Sequence, residues 1–156
     1  MPRRNVPKKR EILPDSVYNS FLASLFINRI LKKGKKSLAR KIFYEAMKEI
    51  KEKTNSNPLK VFEKAVAEVT PKVEVKSRRL GGSVYQVPTE VDQSRGTALA
   101  LKWILEAAKS RRGTPIIQNL VSEILSASNG TGTAVKKKDE MHRMAETNKT
   151  FSHYRF

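Results

Sequence analysis

The sequence contains no cysteine and only two histidines, His142 and His153. Without cysteine the chain forms no disulfide, no thiolate metal site and no cysteine nucleophile. Neither histidine has a second histidine or a carboxylate cluster at the spacing of metal ligands, so we expect no bound metal and no cofactor. Catalytic motifs are missing too: Gly34 and Lys35 are not preceded by the glycine of a phosphate-binding loop, and "LGGSVYQ" lacks the residue order of a nucleophile elbow. The sequence therefore predicts a protein that is not an enzyme.

Long apolar runs and acidic residues are scarce as well. The longest apolar run, Phe21 to Ile27, is far shorter than the about 20 residues that span a bilayer. Acidic residues are absent from Ser16 to Tyr44 and from Ala107 to Ser122, and the whole chain has 15 of them against 32 lysines and arginines. The resulting net charge of +17 repels itself in a compact fold, so it predicts a polyanionic partner. Nucleic acid is the first candidate and an anionic membrane surface is the second, and the third explanation for the charge is simple solubility.

The length of 156 residues suits one domain with a hydrophobic core. Apolar residues at helical spacing predict about six helices in this domain. Asp15 is the predicted N-cap of the first helix. In this helix Val17, Phe21, Leu25 and Phe26, with Ile30 and Leu31, repeat at helical spacing until Gly34. The other helices are predicted from about Ser37 to the segment "TNSNP", from Pro58 to Thr70-Pro71, from about Asp92 to Ser110, from the cap at Thr114-Pro115 to the segment "SNGTGT", and from about Ala134 to Thr147.

Two strand-like runs flank a glycine pair in the segment "VEVKSRRLGGSVYQVP", Val73 to Pro88. Gly81 and Gly82 suit the two central positions of a type I′ turn, which need positive φ. This turn pairs Leu80 with Ser83 and thereby sets the register of the whole hairpin. Neither face of the ribbon is apolar enough near the turn to pack on a core, so we expect the ribbon to protrude.

These predictions combine into a mainly α fold, with about six helices forming a single helical core and a protruding two-stranded β-hairpin. We divide the chain into a basic N-terminal arm (residues 1–13), a helical domain (14–147) with the hairpin at 72–88, and an aromatic-basic C-terminal tail (148–156). The arm has no apolar stretch of the kind found in signal peptides, so we interpret it as part of the mature protein.

The basic residues collect at helix ends, in loops and in the hairpin, where they can meet phosphates without disturbing a core. Five clusters are present: Arg3, Arg4, Lys8, Lys9 and Arg10 in the arm; Lys32, Lys33, Lys35 and Lys36 in a loop; residues 72–79 in the hairpin; Lys109, Arg111 and Arg112; and Lys136, Lys137 and Lys138. One such cluster is often only a solvated face, but five in one chain favour binding to a polyanion. That binding should weaken steeply with added salt, because each neutralised phosphate releases condensed counterions.

The hairpin tip carries the groups that bear most on the mode of binding. Arg78 and Arg79 can stack on bases or bind phosphates with their planar guanidinium groups. Tyr85, opposite Arg78, offers a further stacking surface. The alternative is a cation–π pair between Arg78 and Tyr85 on a solvent-exposed ribbon. Both interpretations leave the ribbon projecting from the core.

Three classes of function fit a basic helical protein. A structural RNA-binding protein accounts for clusters on several faces, for the exposed ribbon and for the missing catalytic groups. A DNA-binding helix-turn-helix around "SRRGTP" needs a second helix with an exposed polar face, whereas "IIQNLVSEIL" is mostly apolar. A peripheral membrane protein needs an amphipathic helix with a wide basic face, whereas the basic residues here lie at helix ends. The RNA-binding class is therefore favoured.

Four long segments resemble small-subunit ribosomal protein seven of the bacterial and organellar type. They are "INRILKKGKKSLARKIFYEAMKEI", "NPLKVFEKAVAEVTPKVEVKSRRLGGSVYQVPTEV", "RGTALALKWILEAA" and "KKKDEMHRMAETNKTFSHYRF". The similarity covers about residues 14–156, almost the whole chain. The segment "KEKTNSNPLKV" and the start of the chain resemble plastid members more than bacterial ones. The aromatic end, Phe151, Tyr154 and Phe156, differs from many relatives, which end in tryptophan or continue further.

The resemblance implies a helical, non-catalytic protein that binds the 3′ major domain of the small-subunit ribosomal RNA (rRNA) and nucleates assembly of the subunit head. It implies that the hairpin and the last helix lie near exit-site tRNA and mRNA, and that small-subunit proteins nine and eleven are neighbours. It also implies a ribosomal location, in the plastid stroma rather than the bacterial cytoplasm, with no membrane binding and no homo-oligomer. The residues implied for rRNA binding are Arg3, Arg4, Lys8, Lys9, Arg10, Lys32, Lys33, Lys35, Lys36, Lys72, Arg95, Lys109, Arg111, Arg112, Lys136, Lys137 and Lys138. Those implied to lie near tRNA and mRNA are Lys76, Arg78, Arg79, Gly81, Gly82 and Tyr85.

Overall fold

The computed structural model of the protein describes residues 11–154. In this range the chain forms six α-helices and one two-stranded antiparallel sheet. The elements in chain order are α1 (Phe21–Ile30), α2 (Lys36–Thr54), α3 (Pro58–Val69), β1 (Val73–Leu80), β2 (Ser83–Glu90), α4 (Gln93–Ser110), α5 (Ile116–Ser128) and α6 (Thr133–Thr147), followed by a C-terminal 3-10 helix (Lys149–Tyr154). The predicted fold class, mainly α with one β-hairpin, is confirmed.

Three phenylalanines from the first three helices meet in the core. Phe26 of α1, Phe43 of α2 and Phe62 of α3 are fully buried. Their ring centroids lie 6.0 Å (Phe26 and Phe43), 5.2 Å (Phe26 and Phe62) and 5.7 Å (Phe43 and Phe62) apart. Tilted and edge-on aromatic pairs at such distances contribute stability beyond the burial of apolar area. The cluster holds α1, α2 and α3 together and so positions the loops that join them.

The central helix of the fold is α5, which contacts α2, α3, α4 and α6. Leu120, Val121 and Ile124 of this helix are all fully buried. Of the thirteen residues of α5 only Gln118 is exposed, so the helix lacks the row of exposed polar side chains that a recognition helix needs to read DNA bases. The apolar segment "IIQNLVSEIL" is therefore core, and the fold gives no support to the helix-turn-helix alternative.

The buried carboxylate of Glu123 joins α5 to two neighbouring segments. Glu123 is 0% exposed, and its Oε2 accepts a hydrogen bond from Nη2 of Arg111 at 2.6 Å. Its Oε1 accepts one from the backbone N–H of Ala134, in the first turn of α6, at 2.8 Å. Gly132 is the N-cap of α6 and has no side chain to offer, so Glu123 takes the capping role. A buried carboxylate is tolerated when it is paired and hydrogen-bonded, and both conditions hold here.

The first helix starts later than predicted. The carboxylate of Asp15 accepts hydrogen bonds from the backbone N–H groups two and three residues later, and so closes a separate turn. Asn19 then adopts a φ of 47°, and Ser20 becomes the N-cap of α1. The prediction that Asp15 caps this helix was wrong because its carboxylate is used in the earlier turn. That carboxylate also accepts a hydrogen bond from the hydroxyl of Tyr44, on α2, at 2.7 Å.

Because the chain turns before α1, the apolar stripe predicted for this helix begins at the wrong residues. Val17 and Phe21 are 64% and 54% exposed. The buried residues of α1 are Ala23, Phe26 and Ile27, of which Phe26 was predicted. The spacing of apolar residues thus predicted the helix and part of its buried face, since Phe26 is buried and Leu25, Ile30 and Leu31 pack against the core. It was wrong for Val17 and Phe21.

The β-hairpin has the predicted register. Leu80 pairs with Ser83 and Arg78 with Tyr85 on either side of the turn at Gly81–Gly82. Both glycines have positive φ, 56° and 91°, as a two-residue turn of this kind requires. The turn chemistry therefore fixed the pairing of the two strands.

The hairpin is packed at its base and exposed at its tip. Its second strand continues past Pro88 to Glu90, so the predicted end was too early. Val87 is fully buried and Glu74 is 5% exposed, whereas a Cβ added at either turn glycine would meet no atom within 4 Å. The tip therefore projects from the core.

The C-terminal part of the chain lies against the hairpin, with α6 beside β1 and the 3-10 helix beside β2. The backbone N–H of Lys72 donates a hydrogen bond to Nε2 of His142 at 3.1 Å. The rings of Tyr85 and Phe151 pack with their centroids 5.3 Å apart. The orientation of the ribbon thus depends on α6 and on the 3-10 helix as well as on its own base.

We expect the substitution Gly96→Ala, in α4, to destabilise the protein. A Cβ there would lie 2.9 Å from Cγ2 of Thr70 and 3.4 Å from the carbonyl oxygen of Pro71. Gly96→Ala gains about 1 kcal/mol of helix propensity, but overpacking costs about 1–3 kcal/mol. We expect the free energy of unfolding, measured in urea, to fall by about 1 kcal/mol.

The matched control for Gly96→Ala is the same substitution in a Thr70→Ser chain. Serine removes Cγ2 but keeps the hydroxyl that donates to the carbonyl oxygen of Val66 at 2.7 Å. In this background Gly96→Ala should stabilise the protein, because the close contact is gone and the propensity gain remains. An equal loss of stability in both backgrounds would contradict the assignment of the clash to Thr70.

Arg111→Ala is expected to destabilise the fold strongly, because it leaves the carboxylate of Glu123 buried without its cation. The free energy of unfolding should fall by about 3 kcal/mol, the lower end of the range for breaking a buried pair, since Arg111 is itself partly exposed. Adding Glu123→Gln should restore most of the loss, because glutamine still accepts from Ala134 and carries no charge. Urea denaturation measures both effects. The exposed neighbour Arg112 is the control, and a comparable loss for Arg112→Ala would mean that the Glu123 pair is not responsible.

Candidate nucleic-acid interface

The loop between α1 and α2 presents four lysines to solvent. Lys33 and Gly34 have positive φ, 51° and 75°, and the backbone N–H of Lys35 donates to the carbonyl oxygen of Lys32 at 3.1 Å. This tight turn leaves all four side chains of Lys32, Lys33, Lys35 and Lys36 exposed. The first turn of α2 contains no acidic residue, so the lysine charges add to the positive end of the helix dipole. The loop is therefore strongly positive.

The end of α4 brings a second predicted cluster beside this loop. Burial of the Lys109 ammonium group and the nearby charge of Lys32 lower the pKa of Lys109. Lys32, Lys109 and Arg111 line one cleft. Two clusters that are distant in the sequence, residues 32–36 and 109–112, thus form one surface, which we call the main basic surface.

Arg111 has two roles in this surface. It holds the carboxylate of Glu123 inside the protein, yet its side chain is 37% exposed. A guanidinium group has five N–H donors, so Arg111 can keep its bond to Glu123 and still present donors to the cleft. Arg112 is exposed and lies next to it in the chain.

Arg95 and Lys76 meet at one carboxylate at the base of the hairpin. Nε of Arg95 lies 2.9 and 2.8 Å from the two carboxylate oxygens of Glu74, and Nζ of Lys76 lies 3.0 Å from Oε1. Burial raises the pKa of Glu74, but hydrogen bonds from Lys76 and Arg95 and their charges outweigh it, so the pKa is lowered. The resemblance assigns these two cations to different RNA partners, yet they share a carboxylate within the fold.

The three lysines of α6 differ in their surroundings. Lys136 is exposed. Nζ of Lys137 donates to Glu106 of α4 at 2.9 Å, and this hydrogen bond lowers the pKa of Glu106. Nζ of Lys138 donates to the carbonyl oxygen of Glu68, on α3, at 2.8 Å. Two of the three predicted cations therefore also tie α6 to its neighbouring helices.

The hairpin supplies a further cationic region, with Lys72 at its base and Arg78 and Arg79 near its tip, all exposed. Tyr85 is half-buried because its ring packs on Phe151. Part of the stacking surface predicted for this tyrosine is thus occupied by the protein itself. The predicted cluster in the arm lies outside the described residues: Arg3, Arg4, Lys8, Lys9 and Arg10.

The sequence reasoning missed the two carboxylates that hold predicted cations, Glu74 and Glu123. Glu123 could have been noticed, since it is the only charged residue in the apolar segment "IIQNLVSEIL". For Glu74 the spacing of two residues to Lys76 in a predicted strand is a local signal, because alternate residues share a face. The pairing with Arg95, on α4, results from folding and has no such signal.

Other kinds of site can be sought among the described residues. Residues 11–154 include no group of three or more His, Cys, Asp or Glu side chains that could hold a metal ion. In the same range we find no helix with both the length and the apolar character needed to cross a membrane. What these residues do present is a set of cationic surfaces of the kind that bind phosphate groups.

The whole chain is similar to known small-subunit ribosomal proteins. The family model described as "Ribosomal protein S7p/S5e" matches residues 2–149. The chain is 56% identical over 156 residues to small ribosomal subunit protein uS7c of Ostreococcus tauri, 57% identical to uS7 of Dictyoglomus thermophilum and 53% identical to uS7 of Synechocystis, with 100% of both chains covered each time. These comparisons confirm the resemblance found in the sequence. The chain therefore belongs to the S7p/S5e family of ribosomal proteins, which are structural, non-enzymatic constituents of the small subunit.

Proposed function

We propose that this protein binds the 3′ major domain of the small-subunit rRNA directly and nucleates assembly of the subunit head. Membership of the family gives it a structural role in translation, in the ribosome, together with rRNA and other ribosomal proteins. The finer proposal rests on one observation, the joining of two distant basic clusters into the main basic surface. None of its lysines has a carboxylate within 4.0 Å among residues 11–154. Cations without internal partners suit the phosphate backbone of folded RNA.

We further propose that the hairpin tip and α6 face exit-site tRNA and mRNA. The tip projects from the core and carries exposed Arg78 and Arg79. The packing of α6 and of the 3-10 helix against the hairpin supports a shared partner, because these elements are held together. Guanidinium groups on a projecting ribbon can bind phosphates or stack on unpaired bases.

The proposed protein neighbours are small-subunit proteins nine and eleven, which contact a single copy of this chain. Exposed apolar side chains support a protein neighbour: Leu13, Val17 and Phe21 are 79%, 64% and 54% exposed. Apolar groups in this number on one short segment are typical of a contact surface.

We propose the plastid stroma, rather than the bacterial cytoplasm, as the location of the ribosome that contains this chain. The similarity to uS7c of Ostreococcus tauri and to cyanobacterial uS7 proteins supports this choice. The 57% identity to uS7 of Dictyoglomus thermophilum shows that bacterial relatives are equally similar. Immunolocalisation in the source cell would decide between the two compartments.

Neutralising the loop lysines is the direct test of rRNA binding. Replacing Lys32, Lys33, Lys35 and Lys36 together by Gln should reduce affinity for small-subunit rRNA by about 100-fold or more, because four phosphate contacts are lost. The slope of log affinity against log salt should decrease in magnitude by about 3. Filter binding at several salt concentrations measures both quantities.

The matched control removes the same charge elsewhere. Lys48, Lys51, Lys60 and Lys64 are exposed on α2 and α3 outside the predicted clusters, and their replacement by Gln should change affinity and slope much less. Equal losses for the two quadruple variants would show that only net charge matters. Wild-type binding that is no tighter to rRNA than to duplex DNA or anionic vesicles at the same salt concentration would overturn the proposed function.

Removing both tip arginines should separate rRNA binding from the proposed tRNA contact. We expect Arg78→Ala with Arg79→Ala to leave the melting temperature and rRNA affinity nearly unchanged, because the tip adds little to the core. In reconstituted small subunits the retention of exit-site tRNA should fall by about tenfold, since two charge-assisted contacts are lost. Lys60→Ala with Lys64→Ala is the control, because it removes the same charge from exposed positions of α3. A clearly lower melting temperature, or unchanged tRNA retention, would contradict this role of the tip.

A further inference from the structure

The main basic surface contains a cleft with an apolar interior. Its volume is about 400 Å³, within the range of about 300–1,000 Å³ that is usual for ligand sites. The cationic residues that line it are Lys32, Lys109 and Arg111. Its apolar walls come from α1, α2, α4 and α5: Ile30, Ile42, Leu105, Ala108, Ile116 and Leu120.

The polar groups that line the cleft are engaged with the protein. The side-chain amide of Asn119 donates to the carbonyl oxygens of Arg111 at 3.1 Å and of Thr114 at 3.3 Å. Its oxygen accepts a hydrogen bond from the hydroxyl of Thr114. These bonds shape the loop between α4 and α5. Both amide donors are used in this way, so the cleft has few groups for reading the edge of a base.

We propose that this cleft takes one unstacked nucleotide of the bound rRNA, with its base between the apolar walls and its flanking phosphates at Lys32, Lys109 and Arg111. The inference rests on the proposed rRNA binding and adds a specific mode to it. A nucleotide combines a flat, largely apolar base with an anionic backbone, and the cleft has the complementary pattern. Single-stranded or bulged nucleotides are the parts of RNA whose bases are free to leave the stack.

The charges of the cleft favour this occupant over an apolar side chain of a neighbouring protein. Lys109 is partly buried beside the positive charge of Lys32, and this arrangement lowers the pKa of Lys109. The charge of Glu106 acts on Lys109 in the opposite direction but does not cancel these effects, so an anion close to both lysines would lower the electrostatic energy further. A phosphate supplies that anion, whereas an inserted leucine or phenylalanine leaves the repulsion in place. Because the base edge is hardly read, we expect little preference for base identity at this position.

Filling the cleft tests the proposal without removing any charge. Ile116 begins α5 and is only half-buried, so Ile116→Trp should place an indole in the space meant for the base. Full-length small-subunit rRNA is the probe, with base-directed chemical modification as the readout. The wild-type chain should protect the base of one unpaired nucleotide. Ile116→Trp should lose that protection and bind about tenfold more weakly, the effect of one lost base contact, with an unchanged salt slope.

Two further variants make the outcome decisive. Gln118→Trp adds the same indole to an exposed position of α5 outside the cleft and should keep the protection and the affinity. Ile42→Trp fills the cleft from α2. It replaces Ile116→Trp in the test if thermal unfolding shows that Ile116→Trp does not fold.

Unchanged protection and affinity in the cleft-filling variants would overturn the inference while leaving rRNA binding intact. Normal rRNA binding combined with failure to enter small subunits alongside the other ribosomal proteins would also overturn it, because the occupant would then be a protein. Failure of the wild-type chain to bind rRNA would instead contradict the proposed function itself.

Discussion

The ion pair between Arg111 and the buried carboxylate of Glu123 connects the charge of this protein to its core. Glu123 lies on the central helix α5 and also caps α6, so one side chain positions α5, α6 and the loop after α4. In a chain with a net charge of +17, a negative charge at this point offsets repulsion among the basic helix ends that converge there. The main basic surface therefore depends on the carboxylate of Glu123, which lies beneath it and is buried from solvent.

The same principle recurs at the hairpin. Glu74 is nearly buried and binds both Arg95 and Lys76, which would otherwise repel each other at the junction of β1 and α4. Two groups of cations among the described residues therefore differ in their surroundings. Arg111, Arg95 and Lys76 are paired with the buried carboxylates of Glu123 and Glu74, whereas the four lysines of the α1–α2 loop have no carboxylate of the described residues within salt-bridge distance. The first group holds the elements in place, and the second keeps its full charge available for a partner.

Much of the fold was predictable because local chemistry and tertiary packing agree. The glycine pair at 81–82 specified the hairpin register, since few other residues accept positive φ at both turn positions. The start of α1 was not predictable from its own segment. Asp15 is a good N-cap by residue type, but its carboxylate bonds to the hydroxyl of Tyr44 and to a turn of its own. The hydroxyl of Tyr44, far along the chain, thus helps to hold Asp15 in the turn before α1.

The candidate site was predictable in its chemistry and unpredictable in its organisation. Charge counting identified the clusters, but it could not show which cations have internal partners. The partners are distant in the sequence: Arg111 and Glu123 are 12 positions apart, and Lys137 and Glu106 are 31 apart. Nor could it show that the lysines at 32–36 lie beside Lys109. Whether a cation has an internal partner affects how it contributes to binding. A cation fixed by an internal carboxylate loses little side-chain freedom when it meets a phosphate, so it contributes to position, whereas a mobile lysine contributes affinity that falls with salt. In the proposed complex with rRNA, the positions of the fixed cations would select RNA of one shape, and the loop lysines would add affinity.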